Sequence, residues 1–574
     1  MSQPKYWRGL EEWKQTPGYL DEAKNEFPTN VPLEDILSDK ADEALGMTAS
    51  RRDFMKVMGF GITAATLAAC AEGPVKKAIP YVNKPEDIIP GVANWYASTT
   101  PSGVPVLVKT REGRPIKLEG NPDSQVTGGG LDASGQATLL DLYDQDRGLK
   151  PMKGETFMEW SDLDAELIPA FQQLAASGGS VRVLSRTLAS PSAKAAVAAF
   201  LAPFGENGKH VTYEGASASA VSQAQAADFG VKAFPSYRFD RAKVIASFSC
   251  DFLGSWVSPV EFLHQWASRR SPDGEWMSRH YQIESILSNT GSNADLRFTV
   301  KPSQEGLALL NLYNKVARLL GQPTLRGVTD FNVAANGLDK LASDLVAARG
   351  ASLVVSGTNN VGIQRVVNGL NILLGNYGKT VDLANPSMVH QADDEGLATL
   401  VSELRSGSVG AVILLDANPV YDTPYGEEFA AALKGMSLAV SMSVKPDETT
   451  KSCAYYVPAS HFLESWGDAQ QNSFSYSLVQ PTIYPIFKTR QAEESLLRWS
   501  GDKTSYRDFV KSYWETNMYP QQSGFGSFRT FWEETLRKGV FAVAPKAASE
   551  LTFSAEGLQA LASSLGSASG SELE

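Results

Sequence analysis

Beyond about residue 155 the chain alternates between short, almost wholly apolar runs and longer stretches with an apolar residue every third or fourth position. Runs of the first kind occupy 181–185, 244–249, 352–356, 412–416 and 438–442, and they predict strands buried on both faces. The stretch 306–320 is of the second kind. Its Leu309, Leu312, Val316 and Leu320 share one helical face, and Gly321 with Pro323 beyond it supplies the stop. Strands alternating with helices predict parallel sheets covered on both sides. Upstream, 104–109 and 115–119 flank Arg111-Glu112-Gly113-Arg114, a hairpin signal. Residues 74–100 hold Pro, Asn and Tyr in no sustained period and read as an extended, wrapped segment. Residues 1–49 are polar and acidic and read as a leader or partner-binding arm. The Ser/Gly-rich stretch from about Gly566 reads as a disordered tail.

Length and composition narrow the class. At 574 residues the chain exceeds one core, and about three or four domains are expected. A formal charge of −12 leaves no electrostatic footprint for nucleic acid. Cys70, Cys250 and Cys453 are too few for a disulfide framework or a four-thiolate cluster, and His210, His264, His280, His390 and His461 are scattered. Composition therefore argues against an autonomous metal or haem site.

Near the N-terminus, Arg51 and Arg52 are followed by Phe54, Lys56 and an uncharged run, 57–69, of small and apolar residues. That run suits a signal segment but falls short of the roughly 20 residues needed to span a bilayer. The arrangement resembles a twin-arginine export signal, and Leu67-Ala68-Ala69-Cys70 resembles a lipoprotein cleavage site with Cys70 as the acylated residue. The competing possibilities are a dibasic pair capping an internal helix and a buried structural Cys70. The six-residue match favours export, which implies a lipid-anchored protein on the periplasmic face of the bacterial cytoplasmic membrane.

Two loops could carry chemistry. Gly128-Gly129-Gly130 could cradle phosphate, but a bare glycine run is more often a turn. Asp416-Ala417-Asn418-Pro419 follows a strand, where open α/β sheets bind ligands, although Asn-Pro is equally a turn initiator.

Several segments in one order extend this picture. The stretch 109–122 (KTREGRPIKLEGNP) is followed by Gly130-Leu131-Asp132-Ala133-Ser134-Gly135 and by 142–147 (LYDQDR). Further on come 373–379 (LLGNYGK), Asp416-Ala417-Asn418-Pro419, Glu448-Thr449-Thr450, and Tyr456-Val457-Pro458-Ala459 with Glu464. Together, over roughly 80–500, these resemble the molybdopterin oxidoreductase family. The resemblance implies an α/β fold of parallel sheets flanked by helices, with a small β-rich N-terminal domain and without the family's C-terminal β-barrel. Residues 1–70 would be the leader. The β-rich domain would take 71–150, completed by about 445–500. A first α/β domain would take 151–215 and 347–444, a second 216–346, and a helical segment with the tail 501–574. Gly375, Asn418, Glu448 and Thr449 would line a vestigial pterin pocket.

The departures from that family bear on activity. No Cys motif precedes the first hairpin, and Asp132 stands where the resemblance implies a fourth cluster Cys. A carboxylate is a poor substitute for thiolate in an iron–sulfur site. No Cys lies within 213–229, where the metal ligand is implied, which leaves Ser217 or Ser219 as the alternative. These departures predict no catalytic residue, no metal and no cofactor. With the leader, they resemble the cofactorless N-terminal half of the B-subunit family of alternative complex III, a bacterial quinol:cytochrome c oxidoreductase. The implied partners are a ferredoxin-like iron–sulfur half or partner, a quinol-binding membrane subunit, multihaem cytochrome subunits and the membrane itself through the lipid anchor. The competing functions are an active molybdopterin-dependent subunit and an exported α/β lipoprotein that binds a solute.

Overall fold

The computed structural model describes residues 91–548 and 550–565, together with Thr16, Pro17 and Leu20. The expected export signal (Arg51, Arg52, Phe54, Lys56), the acylation site Cys70 and the tail beyond 565 lie outside the described residues.

Apolar runs without a polar alternation need cover on both faces, and the chain supplies it twice. The strands Val181–Ser185 and Ala411–Leu415 lie side by side and parallel in a seven-stranded sheet. Their alternate residues go to opposite faces. Val181, Val183, Ile413 and Leu415 pack with the helices Trp160–Ala176, Pro191–Leu201 and Ala492–Trp499. Leu184, Val412 and Leu414 pack with Asp394–Arg405 and Gly426–Lys434. The parallel part of this sheet runs Tyr455–Tyr456, Ala439–Met442, Ala411–Leu415, Val181–Ser185, Gly208–Thr212, and the short antiparallel strands Met152–Lys153 and Thr156–Phe157 extend it.

The second example is a four-stranded, all-parallel sheet in the order Leu296–Thr299, Arg279–Glu284, Val244–Phe248, Ser352–Ser356. Ala246, Phe248 and Val354 face the helices Glu305–Leu319 and Val361–Leu373, through Leu309, Leu312, Val316, Val366 and Leu370. Ile245, Leu353 and Val355 face Val221 and Phe262, on the helices Ser219–Phe229 and Pro259–Ala267. Fully burying each such side chain contributes about 1.5–3 kcal/mol, so these two-faced strands anchor the fold.

A three-stranded antiparallel sheet, Ala93–Thr99, Pro105–Arg111 and Arg114–Gly120, contains the expected hairpin. A five-stranded antiparallel sheet runs Val540–Ala542, Ser475–Val479, Gly467–Asn472, Val381–Ser387, Phe234–Tyr237. The helix Leu558–Leu565 packs back on Glu305–Leu319 and Val361–Leu373.

Three expectations need correction. Part of 74–100 is not irregular: Ala93–Thr99 is an edge strand, and because only its last three residues are buried its pattern carries no period. The boundary at 347 falls too early. Ser352–Ser356 pairs with Val244–Phe248 in the four-stranded sheet, so the chain returns to the seven-stranded sheet only after that strand and its following helix. The stretch 445–500 is divided: Tyr455–Tyr456 completes the seven-stranded sheet, and Gly467–Asn472 and Ser475–Val479 build the five-stranded one.

Candidate functional site

Parallel strands leave loops at their carboxyl ends, where ligands of open α/β sheets bind. In the seven-stranded sheet these loops line a cleft of about 640 Å³. Arg186 follows the 181–185 strand, Glu214 the 208–212 strand, Asp416 the 411–415 strand and Val444 the 439–442 strand. Asp468 and Glu493 reach the same cleft from the five-stranded sheet and from the helix Ala492–Trp499.

The charges are unevenly provided for. Arg186 donates to Asp422 at 2.6 Å and stands 3.9 Å from Glu214, so its guanidinium is already paired. Asp468 accepts from Ser190, from the backbone N–H and hydroxyl of Ser192 and from Trp514 Nε1, yet burial raises its pKa above the usual value. Asp416 sits in the left-handed region at φ 46°, unusual for a residue with a side chain. Its side chain is exposed within the cleft, and desolvation by the surrounding protein raises its pKa. Glu493 is raised in the same way, first by desolvation and then by the charges of Asp468 and Asp416. His390, which also lines the cleft, accepts the N–H of Ala218 on Nε2 at 3.0 Å, and burial lowers its pKa, which favours the neutral ring.

Three of the four residues expected in a pterin pocket do meet. Asn418 Nδ2 donates to Glu448 at 2.8 Å, and its Oδ1 accepts the backbone N–H of Thr449 at 3.2 Å and the Thr449 hydroxyl at 2.7 Å. Thr449 Oγ1 in turn accepts from Val420 N at 3.1 Å. The three clasp two loops together and use their own hydrogen-bonding capacity in doing so. Gly375 does not join them. It lies at φ 64° at the end of the helix Val361–Leu373, beside the start of the 352–356 strand, as a helix-terminating glycine does.

The other singled-out residues have local roles. Asp132 is the N-cap of the helix Ala133–Leu142, accepting Gly135 N at 2.7 Å. Gly128 has φ 55°, and a β-carbon there would run into the His264 ring, so the glycine run is a tightly packed turn. Ser217 Oγ accepts Ser219 N at 3.1 Å, at the start of the helix Ser219–Phe229. Cys250 is buried and Cys453 half-buried, and burial pushes the Cys453 thiol up to about 12. Among the described residues no three His, Cys, Asp or Glu side chains come together as a metal site. Sequence reasoning missed Arg186, Glu214, Asp468 and Glu493. The first two follow predicted or actual strands, which is the signal that exposed Asp416; the last two come from elements distant in sequence.

The fold is molybdopterin-oxidoreductase-like. Acetylene hydratase from Pelobacter acetylenicus shares the fold with a TM-score of 0.57 at 11% identity, over 78% of this chain and 74% of that one. In sequence, the chain is similar to the menaquinone reductase, molybdopterin-binding-like subunit, of Nitratidesulfovibrio vulgaris: 23% identical over 522 residues, 81% of this chain and 74% of that protein. No family model matches the chain.

A molybdopterin cofactor brings at least one phosphate, and a site for it needs cations or free N–H donors. The cleft has hydroxyl groups, among them those of Thr100, Ser102 and Ser255, but its charged side chains are four carboxylates and Arg186, which is already paired with Asp422 and Glu214. These residues do not fit that group.

Proposed function

We propose that this chain is a non-catalytic, molybdopterin-oxidoreductase-like subunit of a membrane-associated respiratory complex that exchanges electrons with quinone. Its work is to hold the electron-carrying neighbours in register. The observation that carries this reading is the similarity, along 81% of the chain, to a molybdopterin-binding-like subunit of a menaquinone reductase. The acidic donor set of the cleft supports the absence of pterin chemistry.

In finer terms the complex is of the alternative complex III type. The chain is exported through the Arg51-Arg52 signal, acylated at Cys70 and held on the periplasmic face of the cytoplasmic membrane. Its neighbours are a quinol-binding membrane subunit, multihaem cytochromes and an iron–sulfur partner. The lipid supplies the attachment in this reading; no helix among the described residues is long and apolar enough to cross a membrane.

The test is to solubilise native membranes in mild detergent, isolate the chain with whatever it holds, and assay molybdenum, tungsten and pterin. The expected result is co-migration with haem- and iron–sulfur-containing subunits and no pterin. Stoichiometric pterin, or a chain that runs alone, would sink the proposal.

A further inference from the structure

The three-stranded antiparallel sheet is covered on one face along its length and on the other only in part. Val106, Val108, Thr110, Pro115 and Leu118 alternate inward and are buried. On the outward face, Trp95, Lys109 and Lys117 pair across the strands in one row, and Arg111 and Arg114 in the next. Toward the loop end this face is closed: Ala97 lies against Gly539, and Thr99 Oγ1 donates to Leu478 O at 3.1 Å. Toward the hairpin tip it is open, with Trp95, Arg111, Arg114 and Lys117 exposed. Lys117 is paired with Glu119, whereas Lys109, Arg111 and Arg114 have no ion-pair partner among the described residues. Lys109 Nζ instead sits 5.5 Å from the centre of the Trp95 ring. Glu112, at the tip, is the other acid of the hairpin. In a chain of formal charge −12, this face is a local excess of positive charge around an aromatic ring.

We propose that this open face rests on an anionic phospholipid surface, with Lys109, Arg111 and Arg114 against headgroup phosphates and Trp95 at headgroup level. Three observations support that partner. The unpaired cations complement an anionic surface, which the chain's net charge would otherwise oppose. Trp95, 47% exposed, and Val92, 53% exposed, set an amphipathic indole and an apolar side chain beside those cations, the mixture that membrane interfaces favour. Ala93 pairs with Arg111, so the chain enters the sheet at the hairpin tip, about 20 residues after Cys70. An acyl group on Cys70 would thus be tethered by a short connection to the same end of the sheet. The inference rests on the membrane-anchored reading given above and adds which face meets the lipid. Three cations hold weakly by themselves, so the face orients a chain that the acyl anchor retains.

The test is co-sedimentation of the full chain, carrying Cys70→Ala so that no acyl group contributes, with vesicles at low ionic strength. Vesicles of phosphatidylcholine alone are compared with vesicles that also contain phosphatidylglycerol. Partition onto the phosphatidylglycerol vesicles alone is expected, fading as salt rises to the physiological range. Replacing Lys109, Arg111 and Arg114 together by Gln should weaken it about tenfold or more. Trp95→Ala should weaken it as well, and Arg111→Lys with Arg114→Lys should retain it. All these side chains point outward, and circular dichroism checks that each variant is folded. No partition onto anionic vesicles, equal partition onto neutral ones, or partition that the triple variant retains would each overturn the proposal. Binding to neither vesicle, with subunits lost from the native assembly of the triple variant, would give the face to an acidic partner protein instead and likewise overturn it. The anchor is read separately, from fatty-acid incorporation at Cys70, so its failure and the failure of this face are distinct results.

Discussion

Arg147 and Glu464, 317 residues apart in sequence, form a two-pronged ion pair with both side chains fully buried, at 3.0 and 2.5 Å. Arg147 also donates to Leu142 O at 2.9 Å, and Glu464 accepts the N–H groups of His461 and Ile486. The pair ties the hairpin region to the loop after the seven-stranded sheet. Removing one partner leaves an uncompensated buried charge, so Arg147→Ala or Glu464→Gln should cost about 3–5 kcal/mol. A double Arg147→Met, Glu464→Leu variant should recover most of that loss. Urea unfolding of the full chain measures it, and a single-variant cost below about 1 kcal/mol would contradict the role given to the pair.

Glu261 makes stability depend on pH. It is buried on the helix Pro259–Ala267, accepts from Ser258 at 3.2 Å and from Gln265 at 3.0 Å, and desolvation pushes its pKa up to about 7. With the folded value above the unfolded one, the native state holds the proton longer. Stability should therefore fall as pH rises from about 4.5 to 7, by up to about 3 kcal/mol from this group. Glu261→Gln keeps the acceptor oxygen and should flatten that slope while raising the melting temperature at pH 8. An unchanged slope in thermal unfolding between these pH values would refute the assignment.

The structural role of Asp132 has a small, definite cost. As an N-cap it satisfies one N–H of the helix Ala133–Leu142, so Asp132→Ala should lose about 1 kcal/mol and Asp132→Asn nearly nothing. Iron content of the purified protein should be the same in both variants and the wild type. An iron loss confined to Asp132→Ala would mean that a cluster, not a helix end, is what Asp132 serves.

For the proposed export and anchoring, Arg51→Lys with Arg52→Lys should hold the chain in the cytoplasm. Cys70→Ala should abolish incorporation of labelled fatty acid and release the chain from membranes when its partners are absent. Retention on membranes by Cys70→Ala alone would remove the lipid from the account.

The buried strands were readable because their environment is uniform. Val181–Ser185 and Ser352–Ser356 are apolar enough to need cover on both faces, and their bounds agree with the sequence pattern. That same uniformity hides the partner: nothing local in Ser352–Ser356 says that it joins Val244–Phe248. Ala93–Thr99 escaped because an edge strand with exposed Trp95 and Tyr96 lacks the alternation of a half-buried one. In the site, Asp416 was within reach because the end of a strand announces it. Asp468 and Glu493 were not, because tertiary packing alone brings them there. Gly375 shows an ambiguity that sequence leaves open: a glycine after a helix looks the same whether it caps the helix or approaches a ligand.

The return of the chain to the seven-stranded sheet also orders the steps of folding. Val181–Ser185 pairs with Ala411–Leu415, roughly 230 residues later, and the whole four-stranded sheet is spelled out between them. Bringing those two strands together as ends of a random coil carries a closure entropy and a wait that grow with the intervening length. If the inserted sheet collapses first, that long coil becomes a compact body, and the outer strands have a short search left. The later-encoded half of the outer sheet is then the last to dock, so the nascent chain leaves the edge of Val181–Ser185 open until the insert is complete.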